Sequence, residues 1–230
     1  MTYLADNLND IKKRIEISAS KSGREFSDIN IIAVSKTVDI PVIEEAIRLG
    51  LTDFGESRVQ ELSNKIKTIP HANWHMIGRL QTNKVKDIID QVVLIHSLDR
   101  WNLAETINRR AEFNDIIVPT LLQINVSGEK QKAGIEPDDI KSFLDSMGDL
   151  SSIRVLGFMT MAPEDENPEN ARPFFKELNL LKEKYSKMNF TNVDLKYLSM
   201  GMSQDYEVAI EEGSNMVRIG SSIFKENKEV

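Results

Sequence analysis

Eight short apolar stretches, each followed by a segment with helical spacing, run from residue 30 to near the end of the chain. That alternation leaves few folds open. The stretches are NIIAVSK (30–36), DFGE (53–56), NWHMIG (73–78), QVVLIHSL (91–98), DIIVPTLLQINV (115–126), IRVLGFMTM (153–161), DLKYLSM (194–200) and NMVRIGSS (215–222). The first of them is apolar at successive positions and rich in β-branched residues, as a strand buried on both faces of a parallel sheet is. The intervening segments predict helices over 41–49, 59–66, 83–89, 100–113, 137–147, 168–188 and 204–212. Parallel strands need crossovers of this length. An earlier helix over 3–21 carries Leu4, Leu8, Ile11, Ile15 and Ala19 on one stripe, the spacing of a face packed on something larger. Eight βα units in this length describe an α/β protein, a single (β/α)8 barrel. A doubly wound open sheet would carry a G-x-G-x-x-G turn after its first strand, and Ser35-Lys36-Thr37 stands there instead. One domain, 1–230, is expected, with 1–25 as a helix packed on the barrel.

Composition removes several kinds of chemistry. The 230 residues include no cysteine, so disulfides, thiolate nucleophiles and Cys-ligated zinc are excluded. With 36 acidic and 29 basic residues the net charge is −7, which argues against a nucleic-acid partner. No apolar run reaches the roughly 20 residues that span a bilayer. The start MTYLADNLNDIKKR lacks the basic and apolar blocks of a signal peptide. A cytoplasmic protein with no membrane partner is expected. His71 and His75 are four apart but lack a third ligand, so no metal site is expected, and His96 reads as a core histidine. The acidic run 163–170 reads as a solvated loop.

Barrel active sites form at the C-terminal ends of the strands, and phosphates commonly bind the loops after strands seven and eight. Both of those loops are rich in Gly and Ser here: Ser199-Met200-Gly201-Met202-Ser203 and Gly220-Ser221-Ser222. Glycine lets the backbone approach an anion, and Ser203 is placed to cap the following helix, whose free N–H groups attract anions. Beyond the fifth strand stand Lys130 and Lys132. Lys36 ends the first strand, and a partly desolvated lysine there can form a Schiff base with a carbonyl. Arg218 shares the face of Met216 and Gly220 by period two, and inside a barrel it needs a partner. A Schiff-base lysine opposite a phosphate cup fits two ligands: a sugar phosphate carbonyl compound, or pyridoxal phosphate.

The blocks AVSK with Lys36, FGESRVQE, WHMIGRLQTNK, HSLDR, NVSGEKQKAGI, GFMTMAP, LSMGMSQDYEVAI and GSNMVRIGSSIF resemble, in order and over nearly the whole chain, the pyridoxal-phosphate homeostasis proteins. The resemblance implies a barrel of the alanine-racemase type without the C-terminal β domain. It implies Lys36 as the Schiff-base residue, Ser199, Met202, Ser203, Gly220 and Ser221 around the phosphate, and Arg218 facing the pyridine nitrogen. It further implies a role in balancing vitamin B6 and amino-acid pools, a monomer, and apo pyridoxal-phosphate enzymes as partners. Two positions depart from the family pattern: Ser57 stands where Asn usually contacts the cofactor, and Lys225 where Gly is common.

Arginine can only donate hydrogen bonds. Facing the pyridine nitrogen, it keeps that nitrogen unprotonated and the ring a weaker electron sink. Racemisation also requires a second base, which alanine-racemase-like enzymes draw from the additional domain that this chain is expected to lack. A carrier without established turnover is therefore expected; a racemase-like enzyme and a sugar-phosphate aldolase or isomerase are the competing readings.

Overall fold

The computed structural model describes residues 2–129 and 131–226; Lys130 and the terminal residues 1 and 227–230 lie outside the described residues. Eight strands, β1 (Asn30–Val34), β2 (Asp53–Glu56), β3 (Asn73–Met76), β4 (Leu94–Leu98), β5 (Val118–Gln123), β6 (Ile153–Met159), β7 (Val193–Ser199) and β8 (Met216–Ile219), form a closed barrel in chain order. All the pairings are parallel, and β1 closes the barrel on β8 with Asn30 opposite Met216 and Ile32 opposite Arg218.

Around it lie α1 (Thr2–Lys21), α2 (Ile40–Arg48), α3 (Val59–Thr68), α4 (Trp101–Phe113), α5 (Ile140–Ser146), α6 (Arg172–Ser186), α7 (Tyr206–Glu211) and α8 (Ser221–Phe224). The crossover after β3 differs from expectation: Thr82–Asp87 is a 3-10 helix. Thr82, Asn83 and Asp87 are weak α-helix formers, and the buried pair Val85 and Ile88 is served by a three-residue period. The end of the chain also differs. Residues 221–224 turn into α8 rather than continuing as a loop.

Two apolar layers result. The larger lies between strands and helices and includes Phe54, Trp74, Leu103, Phe158 and Phe175. A smaller cluster of Leu94, Leu121, Met159 and Met216 fills one end of the barrel interior, since Leu94 and Met216 share faces with His96 and Arg218 two residues on. Helix α1 packs on α7 and α8 with Leu4, Leu8, Ile11, Ile15 and Ala19 all buried. Each buried Leu or Ile stabilises by about 1.5–3 kcal/mol. The exposed Arg14–Glu207 and Lys21–Glu211 pairs are of a kind worth about 0–1 kcal/mol, so the apolar stripe holds the helix. Among the described residues no helix is long and apolar enough to cross a membrane.

Candidate functional site

A cavity of about 450 Å³ opens at the C-terminal ends of the strands, within the usual size of small-ligand pockets. Of the eight residues singled out by resemblance, Lys36, Ser57, Met202, Ser203, Arg218, Gly220 and Ser221 line it. Ser199 does not; it is fully buried, with its hydroxyl against Arg218 and His96.

Lys36 lies two residues beyond the end of β1 and is exposed, so the chain itself does not supply the desolvation invoked from sequence. What it supplies is placement. Ser35 before it is fully buried. Lys65 of α3 donates to the Ser35 carbonyl at 2.6 Å and pairs with the buried Glu56, which also accepts from the Ser35 hydroxyl at 3.0 Å. Thr37 after it has φ 62°, a left-handed conformation that costs a β-branched residue and persists only where its surroundings impose it.

The loops after β7 and β8 are stitched together. Ser203 Oγ accepts the backbone N–H groups of Gly220 and Ser222 at 3.2 and 3.3 Å, and Ser222 Oγ donates to the Ser203 carbonyl. The capping of α7 expected of Ser203 is therefore absent, because its hydroxyl is engaged by the neighbouring loop. Asp205 instead takes the Met202 N–H at 2.6 Å. Burial raises the Asp205 carboxyl above its usual range, against that hydrogen bond and the charge of Arg218. Gly201 has φ +92°, and its carbonyl accepts the backbone N–H of Arg218 at 3.0 Å. A Cβ there would stand 2.6 Å from that of Ala209.

Arg218 is buried and faces inward. Its guanidinium donates to the Ser199 carbonyl at 2.7 Å, the Ser199 hydroxyl at 2.6 Å and the Thr160 carbonyl at 2.8 Å. Desolvation lowers its pKa to about 10, with Asp205 acting in the opposite direction; it stays a cation at neutral pH. Three of its five N–H groups are thus committed. Burying a charge without a direct carboxylate costs several kcal/mol, and a ligand acceptor in the cavity offsets part of that cost.

Sequence reasoning missed two parts of the site. The acidic loop is not merely solvated: Pro163, Glu164, Asp165, Asn167 and Pro168 line the cavity. Beneath Ser199 lies a buried polar chain. His96 Nδ1 is 2.9 Å from Ser199 Oγ, His96 Nε2 is 3.0 Å from His75 Nδ1, and His75 Nε2 is 3.0 Å from Asp53 Oδ1. Burial holds His96 well below the usual histidine range, and the nearby Arg218 cation acts in the same direction. Period two on β2, β3 and β4 was the available signal that these side chains turn inward. No group of His, Asp and Glu among the described residues is arranged to hold a metal.

This donor set suits a small aldehyde that carries a phosphate and a ring acceptor. Lys36 offers the amine, the stitched Gly/Ser loops offer hydroxyl and backbone donors, and Arg218 offers a cation that can only donate. The fold and the site together define a barrel of the alanine-racemase type. The family model described as alanine racemase, N-terminal domain, matches residues 7–228. A pyridoxal phosphate homeostasis protein of Aquifex aeolicus is 44% identical over 225 residues, covering 97% of this chain and 98% of that protein. The structure of PipY from Synechococcus elongatus with PLP bound matches at TM-score 0.82 and 29% identity, covering 96% of this chain and 100% of PipY. An alanine racemase of Clostridium difficile shares the fold at TM-score 0.74 and 16% identity, over 100% of this chain and 57% of the racemase. The chain belongs to the pyridoxal phosphate homeostasis proteins, within the family of alanine-racemase N-terminal domains.

Proposed function

We propose that this protein binds pyridoxal 5'-phosphate through Lys36 and serves vitamin B6 homeostasis as a cytoplasmic carrier, with apo forms of pyridoxal-phosphate enzymes as recipients. The observation that carries the reading is the convergence of Lys36, Arg218 and the two Gly/Ser loops on one cavity. Pyridoxal phosphate, when bound, supplies an aldehyde carbon that captures amines and a ring that withdraws electrons. Lys36 would provide the amine. Met202, Ser203, Gly220 and Ser221 would hold the phosphate. Ser57 would line the ring's surroundings, and Ser199 would act from beneath by holding Arg218.

Arg218 favours holding over turnover. Its guanidinium remains protonated and has no lone pair to accept a proton from the ring nitrogen. An unprotonated ring is a poor electron sink, so amino-acid chemistry is restrained. The test is colour and covalent trapping. The loaded protein should absorb visible light, and borohydride should fix the cofactor on Lys36. A covalent adduct that persists in Lys36→Ala refutes the assignment. Steady loss of optical rotation with alanine or serine would favour a racemase instead.

A further inference from the structure

Five side chains form an unbroken hydrogen-bonded series through the barrel interior: Arg218, Ser199, His96, His75 and Asp53. Asp53 opens β2 and lies at the end of the barrel opposite the cavity; Arg218 lines the cavity. We infer that Asp53, His75 and His96 are positioning residues for the ligand-facing guanidinium, acting through a chain of hydrogen bonds that has one permitted direction. For its effect on a bound ligand, this inference rests on the cofactor reading above.

The direction follows from what each group can do. A guanidinium only donates and a carboxylate only accepts. Arg218 therefore donates to Ser199 Oγ, which leaves the hydroxyl hydrogen for another acceptor, and His96 Nδ1 is the one at 2.9 Å. His96 Nδ1 is then bare and its Nε2 carries the proton, donating to His75 Nδ1 at 3.0 Å. His75 carries its proton on Nε2 and donates it to Asp53 at 3.0 Å. With both rings neutral, working back from the carboxylate of Asp53 fixes this assignment, and the donation of Arg218 to Ser199 Oγ is compatible with it. Two neutral rings satisfy every position, with no proton missing and none in excess.

The surroundings agree. Burial, more than the nearby charges, disfavours a cationic His96. Burial pushes the Asp53 carboxyl up, but hydrogen bonds from His75 and Thr52 outweigh it and hold Asp53 below its usual range, as an acceptor must be. The rings meet edge to face, with centroids 5.2 Å apart. Reversing His75 would set its Nδ1–H against the Nε2–H of His96, and reversing His96 would set two bare ring nitrogens against each other; unsatisfied buried groups are costly. Arg218 is thus held against Ser199 by a partner whose hydroxyl cannot swing away.

The chain has only three histidines, and His71 is exposed, so nitrogen NMR of the histidine-labelled full chain resolves each ring. Without added cofactor, His75 and His96 should each show a protonated Nε2 and a bare Nδ1, with scalar coupling across Nε2–H to Nδ1. A protonated Nδ1 on His96 overturns the inference whether or not the protein binds pyridoxal phosphate. In a second arm, Asp53→Leu removes the terminal acceptor and Asp53→Asn keeps one. Loaded protein of Asp53→Leu should release pyridoxal phosphate about two- to tenfold faster, the loss of roughly one hydrogen bond, with Lys36 still trapped by borohydride. Asp53→Asn should lie close to the parent. Equal release rates and an unaltered His96 tautomer in Asp53→Leu refute the positioning role, while absence of any borohydride adduct in the parent refutes the cofactor reading alone.

Discussion

One guanidinium nitrogen of Arg218 reaches both the carbonyl and the hydroxyl oxygen of Ser199, at 2.7 and 2.6 Å. Ser199 therefore belongs to the support of the cavity rather than to its wall. Ser199→Ala deletes the hydroxyl and leaves a buried cation with one acceptor fewer. A hydrogen bond to a charged group is worth about 1.5–3 kcal/mol. In a chain of this size that corresponds to a fall in Tm of roughly 3–12 °C. Calorimetry of the variant without cofactor measures it directly, and an unchanged Tm would mean that the hydroxyl contributes nothing to holding Arg218.

The burial of His96 makes stability depend on pH in a stated direction. In the unfolded chain the ring takes up a proton as pH falls through about 6.5. In the fold it does not, because burial holds it well below that value. The unfolded state then binds more protons, so stability falls as pH falls. Between pH 7 and 5 this one ring accounts for up to about 2 kcal/mol. Urea titrations of the parent and of His96→Gln at both pH values test it. The variant should lose less stability on acidification, whatever its stability at pH 7, and parallel losses would contradict the assignment.

The barrel was legible in the sequence because its signals are local. Apolar runs such as 30–34 and helical stripes such as Leu4, Leu8, Ile11 and Ile15 are short-range patterns, and eight repeats of them admit one closed topology. Lys36, Arg218 and the Gly/Ser loops were legible for a related reason, since barrel function gathers at the strand ends. The depth of Ser199 was not. It is the last residue of β7, yet whether its hydroxyl meets a ligand or His96 depends on barrel closure, which brings β4 and β7 together across 103 residues. The same closure brings the Gly220 and Ser222 amides to Ser203, which local pattern had assigned to capping α7. The 3-10 helix at Thr82–Asp87 escaped because Val85 and Ile88 fit either helical period.

The pair of Lys65 and Glu56 ties α3 to the base of Lys36. Their side chains are 11% and 0% exposed, so screening by solvent is weak. Removing one partner strands a buried charge, which typically costs about 3–5 kcal/mol. Glu56→Gln and Lys65→Met should each be strongly destabilising, while the double variant should cost clearly less than the sum of the two. A double-mutant cycle in urea reads the coupling. Additive losses would show that the two charges are independently solvated and do not act as a clamp on the Ser35 carbonyl.

Two glycines separate backbone strain from crowding. Gly23 and Gly201 both have positive φ, at 71° and 92°. Nothing lies within 4 Å of a Cβ on Gly23, whereas a Cβ on Gly201 meets Ala209 Cβ at 2.6 Å and Tyr206 Cα at 2.9 Å. Gly23→Ala should therefore cost only the left-handed conformation, about 1–2 kcal/mol. Gly201→Ala adds a clash with atoms that cannot rotate aside, and overpacking of that kind adds about 1–3 kcal/mol. The relief available is displacement of the loop after β7, whose Gly201 carbonyl accepts from the Arg218 backbone and whose Met202 and Ser203 line the cavity. Gly201→Ala should thus lose retained pyridoxal phosphate as well as stability, and Gly23→Ala should lose stability alone. Comparing Tm and bound cofactor after gel filtration distinguishes them; equal retention in the two variants would show that the tight turn at Gly201 matters to the fold and not to the cavity.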